Sequence, residues 1–392
     1  MSAVRAYVRK IICGWIFSRN QVSREKLMGI KLSKPAKAKA SIALLSAALL
    51  TLAGCASAPA PTASETSSST DTSTETTVEK FVVGFSEPLG GQAWRETGLA
   101  ALQALANRPE YRDIVEVRVV RTNDNDAAAQ NAAMLNFVAE GVDAILFDPA
   151  SSSGADAAVA AALANGIPVM AVGGVYDNEE VYVVSPDYNS AGAIGVQWLL
   201  DNLGDNKTVA VLEGLPGVPL NDGAMPYLIA ALEEGGAKVV AQSTNGWNEA
   251  TAQENMAAIL RSNPDIGGVY SFLAGGQGAP EAFAAAGIPF VPTVGGSGYN
   301  GEACTLAEYK DQGLRANNVF AQPAIYAKGL AEILRLLNGE TLDREQYFPV
   351  LQITVDNADE YCLADYSANY QLGYNFPGLD ITAEEIDTWY LK

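Results

Sequence analysis

Four glycine pairs stand where the chain leaves an apolar run: Gly90 and Gly91 in "PLGGQ", Gly173 and Gly174 in "AVGGVYDN", Gly275 and Gly276 in "LAGGQ", Gly295 and Gly296 in "TVGGSG". Bare backbone at such points either turns the chain tightly or offers N–H groups to a polar or anionic ligand. One pair alone reads as a turn; four in succession predict a roomy cleft floored by backbone. Catalysis finds little support. The 392 residues include no histidine, so a histidine-based triad, proton shuttle or metal ligand is excluded. "NDNDAAAQ" starts in calcium-loop rhythm but lacks the later Gly and Glu. "GGQGAP" is neither a dinucleotide fingerprint nor a phosphate loop, and no carboxylate spacing suggests a hydrolase. The expectation is a protein that is not an enzyme and carries no cofactor or metal.

The elements that must position these glycines repeat. "FVVGFS" reads as a buried strand, followed by the helical "QAWRETGLAALQALANR"; "VEVRVVRT", "VDAILFDP" and "IPVMAVGG" are further strands separated by Ala-rich helices. The pattern then restarts with "SAGAIGVQWLLDNL", "KTVAVLEG" and "GAMPYLIAALEEGG", and continues through "KVVAQS", "IGGVYSFLAGG" and "IPFVPTVGG". This alternation predicts an α/β fold of two similar lobes, each a doubly wound parallel sheet with right-handed crossovers. Ligands of such sheets bind beyond the carboxyl ends of the strands, so the glycine pairs are expected to face a cleft between lobes.

Residues 1–54 differ from the rest, with ten Lys/Arg and one acid. The apolar stretch "SIALLSAALLTLA" runs into Gly54 and Cys55, which makes a secretory signal and is too short to span a bilayer. "LAGC" resembles the lipobox of bacterial lipoproteins, whose cysteine is lipidated and becomes the new N-terminus; an ordinary export signal with an incidental Cys55 is the alternative. Residues 1–27 exceed a usual signal, and Met28 would start a more typical one. Residues 55–79, rich in Ser, Thr, Pro and Ala, read as a disordered tether. Removal of 1–54 takes Lys+Arg from 25 to 15 and Asp+Glu from 45 to 44, leaving a formal −29. Such a surface repels nucleic acid, so no nucleic-acid partner is expected.

The folded part resembles the periplasmic binding proteins of the ribose/galactose type, which deliver sugars to ABC importers, over roughly residues 81–355. The likeness rests on "GVDAILFDPASSSGADAAVAAALANGIPVMAV", "NGWNEATAQENMAAIL" and "VFAQPAIYAKGLAEILRLLNGE", with "QAWR" similar to the galactofuranose-binding subgroup. It implies a three-strand hinge, with crossings near Ser185 and Asp187, near Gln322 and Pro323, and near Phe348 and Leu351. The first lobe is then 80–185 plus 323–347, and the second 187–321 plus 350–392.

The resemblance also implies ligand contacts. Trp94 and Trp247 come from opposite lobes and suit the apolar face of a sugar ring. Arg95 is placed for paired hydrogen bonds, a surface ion pair being its alternative. Ser86, Gln92, Asp148, Gly173 and Gln322 match cleft or hinge positions, Asp148 also being suited to shaping its loop. Sugar-binding relatives often carry Asp-Arg where this chain has Gly173 and Gly174, an arginine near Asn221 and Asp222, and an aspartate at Ser297. Either Tyr299, Asn300, Asn221, Asp222 and Gln277 replace that charged clamp, or the ligand is not a simple sugar. Cys304 and Cys362 both fall in the second lobe, as a disulfide or as two buried thiols. The implied protein is a monomeric, lipid-anchored binder on the outer face of the cell membrane, handing a carbohydrate-like small molecule to an ABC permease. The alternatives are a ligand-sensing co-receptor for a membrane kinase or chemoreceptor, and a nucleoside or other non-sugar ligand.

Overall fold

Apolar runs buried along their whole length are what a parallel sheet covered on both faces requires, and "AILF", "VMAV" and "GVYS" each supply one. A computed structural model of the chain describes residues 80–122, 125–376 and 378–390, all in one unit, Val78–Lys392. The signal, Cys55, the tether and two residues of "NDND" lie outside the described residues. The first sheet holds β1 (Phe81–Glu87), β2 (Val115–Arg121), β3 (Ala144–Phe147), β4 (Val169–Val172), β5 (Tyr182–Pro186) and, much later, β11 (Glu345–Phe348). Its order is β11-β5-β4-β3-β1-β2, parallel throughout.

The second sheet repeats the plan with β6 (Thr208–Glu213), β7 (Lys238–Thr244), β8 (Gly268–Ser271), β9 (Thr293–Gly295), β10 (Ala316–Phe320) and β12 (Leu351–Thr354). The order is β12-β10-β9-β8-β6-β7, with β12 antiparallel to β10. In both sheets strand order reverses beside the first strand, which opens a crevice at its carboxyl end. The crossover helices are α1 (Ala93–Ala106), α2 (Ala127–Glu140) and α3 (Asp156–Ala164) in the first lobe. Those of the second are α4 (Tyr188–Asn202), α5 (Pro219–Glu234), α6 (Glu249–Ser262), α7 (Gly278–Ala286), α8 (Asn300–Tyr309) and the short α10 (Ala358–Tyr361), while α9 (Ile325–Leu337) returns to the first. Local chemistry sets their ends: Asp126 caps α2 by accepting from the Ala128 and Ala129 N–H groups, and Gly141 closes it at φ 70°. Phe85, Leu102, Leu146 and Tyr326 fill one face of the first sheet, and Phe137, Ile145 and Phe147 the other. Leu199, Val211 and Tyr270 pack on one face of the second sheet, Leu212, Met256 and Phe283 on its other.

The chain passes between sheets after β5, after β10 and between β11 and β12. It then crosses a fourth time. The sequence reading put all of 350–392 with the second lobe, and Ala358 and Leu372 do pack there. Phe376, Leu379, Ile381 and Ile386, however, are buried in the first-lobe core, where the last helix, α11 (Ala383–Tyr390), lies against α1. The physical reason is α1 itself. Its Ala-rich face needs a larger apolar cover, and Arg108 just past its end binds both carboxylate oxygens of Glu385 at 2.7 and 2.8 Å. That pairing holds the Glu385 carboxyl down at about 2. In the second lobe a disulfide joins Cys304 of α8 to Cys362 behind α10, Cα–Cα 4.6 Å. Closing a loop over 58 positions is worth about 4 kcal/mol in the chain-entropy account.

Candidate functional site

Between the carboxyl ends of the two sheets lies a cleft of about 840 Å³ including its open mouth. The first lobe places Trp94 and Arg95 in it because Gln92 and Ala93 start α1 there, one turn beyond β1. Trp94 Nε1 donates to the Ala321 carbonyl in the hinge at 2.8 Å, and its ring stands edge-on to Tyr326, centroids 5.4 Å apart. Gly173 is needed here. It sits at φ 76°, and a Cβ would stand 3.0 Å from Tyr326 and 3.2 Å from Trp94. Tyr188, at the start of α4, reaches back across the hinge to donate to the Gly173 carbonyl at 2.9 Å.

Arg95 is no surface ion pair. Its Nε donates to Asp148 Oδ2 at 2.9 Å and its Nη1 to Gln92 Oε1 at 2.5 Å, with Glu87 Oε1 at 4.0 Å. Tyr326 donates to the same Asp148 oxygen at 2.7 Å. Burial works against the guanidinium charge, but Asp148, Tyr326 and Glu87 outweigh it and raise its pKa. Burial also raises the Glu87 carboxyl, against the pull of Arg121, which binds it at 2.8 Å. Arg95 and Asp148 are the charged side chains lining the cleft among the described residues, and they neutralise one another. A neutral ligand fits that balance.

The second lobe contributes a different wall. Trp247 follows β7 at φ 55° and Leu273 follows β8 at φ 54°, and both line the cleft. A left-handed conformation costs a bulky residue about 1–2 kcal/mol, so the surroundings must impose it. Asn245 does so for Trp247: its Oδ1 accepts from the Trp247 N–H at 2.7 Å while its Nδ2 donates to Ser271 Oγ at 2.9 Å and the Phe272 carbonyl at 3.1 Å. The indole nitrogen is buried without a partner and lies over Gly214, where a Cβ would meet it at 2.3 Å.

Several N–H groups of the glycine pairs are already taken. The Gly91 N–H is taken by Glu96, that of Gly173 by the Val184 carbonyl and that of Gly275 by Glu249. Gly173, Gly174 and Gly296 line the cleft, whereas the pairs at 90–91 and 275–276 do not. Glu249 also accepts from the N–H groups of Gln277 and Gly278, and Glu302 from those of Ser297 and Gly298 at 2.7 and 2.8 Å. The half-buried Glu249 lies close enough to the buried Glu302 to act on its charge. Burial and the neighbouring Glu249 hold the Glu302 carboxyl protonated well above its ordinary range. A raised folded-state pKa means that the folded protein holds the proton longer than the unfolded chain. Stability should therefore fall as pH rises from about 4.5 through the raised value. Glu302→Gln removes that contribution, so the slope of Tm against pH between pH 5 and 8 should flatten; a slope equal to that of the unaltered protein would contradict a raised Glu302 carboxyl.

Of the residues singled out in the sequence, Gln92, Trp94, Arg95, Asp148, Gly173, Trp247, Ser297 and Tyr299 line the cleft together. Six are placed elsewhere. Ser86 is buried in β1 with its hydroxyl unpartnered, and Asn221 is buried in the first turn of α5. Asp222 accepts from the Gly217 N–H, Gln277 donates to Glu281, and Gln322 donates to the Asn375 carbonyl in the fourth crossing. Asn300 ties α8 to the carbonyls of Leu363 and Tyr366. Sequence reasoning missed Tyr188, Val218, Pro219, Leu220 and Leu273; the one available signal was the position of Leu273 two residues before a glycine pair.

Two doubly wound lobes with a side-chain-lined cleft at their strand ends define a two-lobed solute-binding protein, and no helix among the described residues is long and apolar enough to cross a membrane. The chain belongs to the periplasmic binding protein family: the family model described as "Periplasmic binding protein domain" matches residues 83–341. Its members bind solutes rather than transform them, in the setting of sugar ABC transport. Among curated relatives, the xylitol-binding protein of Mycolicibacterium smegmatis is 28% identical over 60% of this chain and 68% of its own. The ribose import binding protein of Bacillus subtilis is 29% identical over 52% of this chain and 66% of its own. A solved ABC transporter solute-binding protein from Thermobispora bispora has the same fold, with a TM-score of 0.66 at 23% identity, over 79% of this chain and 94% of that one.

Proposed function

We propose that this protein captures a neutral sugar or polyol in the interlobe cleft and delivers it, as a lipid-anchored monomer on the outer face of the membrane, to an ABC importer permease. The observation that carries the reading is the pairing of Trp94 and Trp247, one from each lobe, around the Arg95–Asp148–Gln92 cluster. Aromatic faces suit the C–H faces of a sugar ring, and the fixed guanidinium–carboxylate pair presents both donors and acceptors to hydroxyls. The names of the xylitol- and ribose-binding relatives agree with a polyol ligand. The lipobox-like "LAGC" supports the anchor at Cys55. A ligand that draws both walls together shifts the hinge toward its closed form, and that form is what a permease would recognise.

A thermal-shift screen of pentoses, hexoses, their alcohols and nucleosides tests the ligand, because a molecule that binds only the folded state raises Tm. A shift confined to nucleosides would replace the reading. Cys55→Ala tests the anchor: the protein should leave the membrane fraction, and unaltered retention would exclude lipidation at that residue.

A further inference from the structure

The two walls of the cleft differ in kind. Gln92, Arg95 and Asp148, all from the first lobe, carry its charge and its amide. The second lobe lines it mainly with apolar groups, Val218, Leu220, Leu273 and Trp247, beside Ser297 and Tyr299. Most polar groups close to that wall are already engaged, the buried Trp247 Nε1 and Asn221 Oδ1 being exceptions. The Ser297 N–H is held by Glu302 and its hydroxyl donates to the Leu273 carbonyl at 3.0 Å. Asp222 faces the Gly217 N–H, and the Trp247 N–H lies over Gly214 instead of opening to the cleft. Leu273 and Trp247 are both held in the left-handed region, so the apolar wall is built against the local preference of the backbone.

A free pentose or hexose carries hydroxyls around its whole edge. Those turned to the second lobe would give up water and find few partners there, which disfavours binding. We infer that the ligand has one hydroxyl-bearing edge, held by the first lobe, and one apolar edge facing the second: a deoxy sugar, or a glycoside with a hydrocarbon aglycone. The inference rests on the sugar reading above and narrows it to ligands of mixed character. Leu273 is the residue best placed to set that preference.

Calorimetric titration of the full folded chain with matched series tests it. Each series holds a free sugar, its terminally deoxygenated counterpart, its methyl glycoside and its phenyl glycoside. In any series that binds, a deoxy or glycosidic member should be tighter than the free sugar by about tenfold or more, the range set by one or a few buried methylenes. Leu273→Asn places an amide on the apolar wall in a backbone conformation that asparagine tolerates, so it should fold and should narrow that ratio to within about threefold, an estimate on the same scale. Val218→Asn should act in the same direction from another element. A free sugar bound as tightly as its apolar analogues, or a ratio unmoved in both variants, overturns the inference and leaves sugar binding standing. Failure of every series to bind overturns the sugar reading and the inference together.

Discussion

Removal of residues 376–392 is expected to unfold the first lobe. Phe376, Leu379, Ile381 and Ile386 are each less than a tenth exposed, and they complete the core formed by Phe85, Leu102, Leu105 and Tyr326. At about 1.5–3 kcal/mol for each fully buried side chain, their loss costs about 6–12 kcal/mol as an upper bound. That is comparable with the whole stability of an ordinary domain, about 5–15 kcal/mol. The Arg108–Glu385 pair adds to it, and because the Glu385 carboxyl is held at about 2, its contribution is full above about pH 4.5 and fades as pH falls toward 2. Thermal unfolding followed by circular dichroism should show the truncated chain without a cooperative transition near that of the full chain. An unchanged Tm would mean that the C-terminal crossing is an ornament on a complete lobe.

The second large effect is expected at Arg95. Arg95→Met keeps the length of the side chain and removes the cation, leaving Asp148 with Tyr326 and Gln92 with no guanidinium partner. Breaking one side of a buried pair typically costs about 3–5 kcal/mol, whereas removing both charges is close to neutral. The single variant should therefore lose both stability and ligand affinity. Arg95→Met combined with Asp148→Asn should recover most of the stability but not the affinity, since the donors and acceptors offered to the ligand are gone. Stability that is not recovered in the pair would place the coupling elsewhere, in Glu87 and Arg121. Recovered affinity would remove Arg95 from the site.

The two sheets were legible because central strands such as β3, β4 and β6 are apolar runs, some ending at glycine, and because Ala-rich stretches alternate with them. Trp94 and Trp247 were legible through the family resemblance, which sets an aromatic at each of those positions. Other features were hidden for physical reasons. The last helix lies beyond β12, and nothing in chain order says which of two cores it covers; only the Ala-rich face of α1 decides. Asp222, Gln277 and Asn300 have ligand-like side chains, yet their loops need those same groups to satisfy backbone N–H and C=O, and residue type does not give side-chain direction. Glu249 and Glu302 are acids in the first turns of helices, which reads as helix-end electrostatics; their closeness depends on the loops after β8 and β9, whose N–H groups they accept from. Leu273 and Val218 are apolar residues in a loop and a helix cap, indistinguishable from core until the opposite wall is seen. Of the glycine pairs expected to floor the cleft, Gly173, Gly174 and Gly296 line it; Gly173 leaves space for Trp94 and Tyr326, and the Gly275 N–H is held by Glu249.

The central claim is that a small ligand is held between the two lobes by Trp94 and Trp247. Calorimetric titration of the tightest ligand from the screen against the unaltered chain, Trp94→Ala and Trp247→Ala tests it most directly. The expected result is one-to-one binding that weakens by about tenfold or more in each variant, consistent with the loss of an aromatic contact of about 1–3 kcal/mol, while each variant still unfolds cooperatively. Affinity unchanged in both variants would contradict the account.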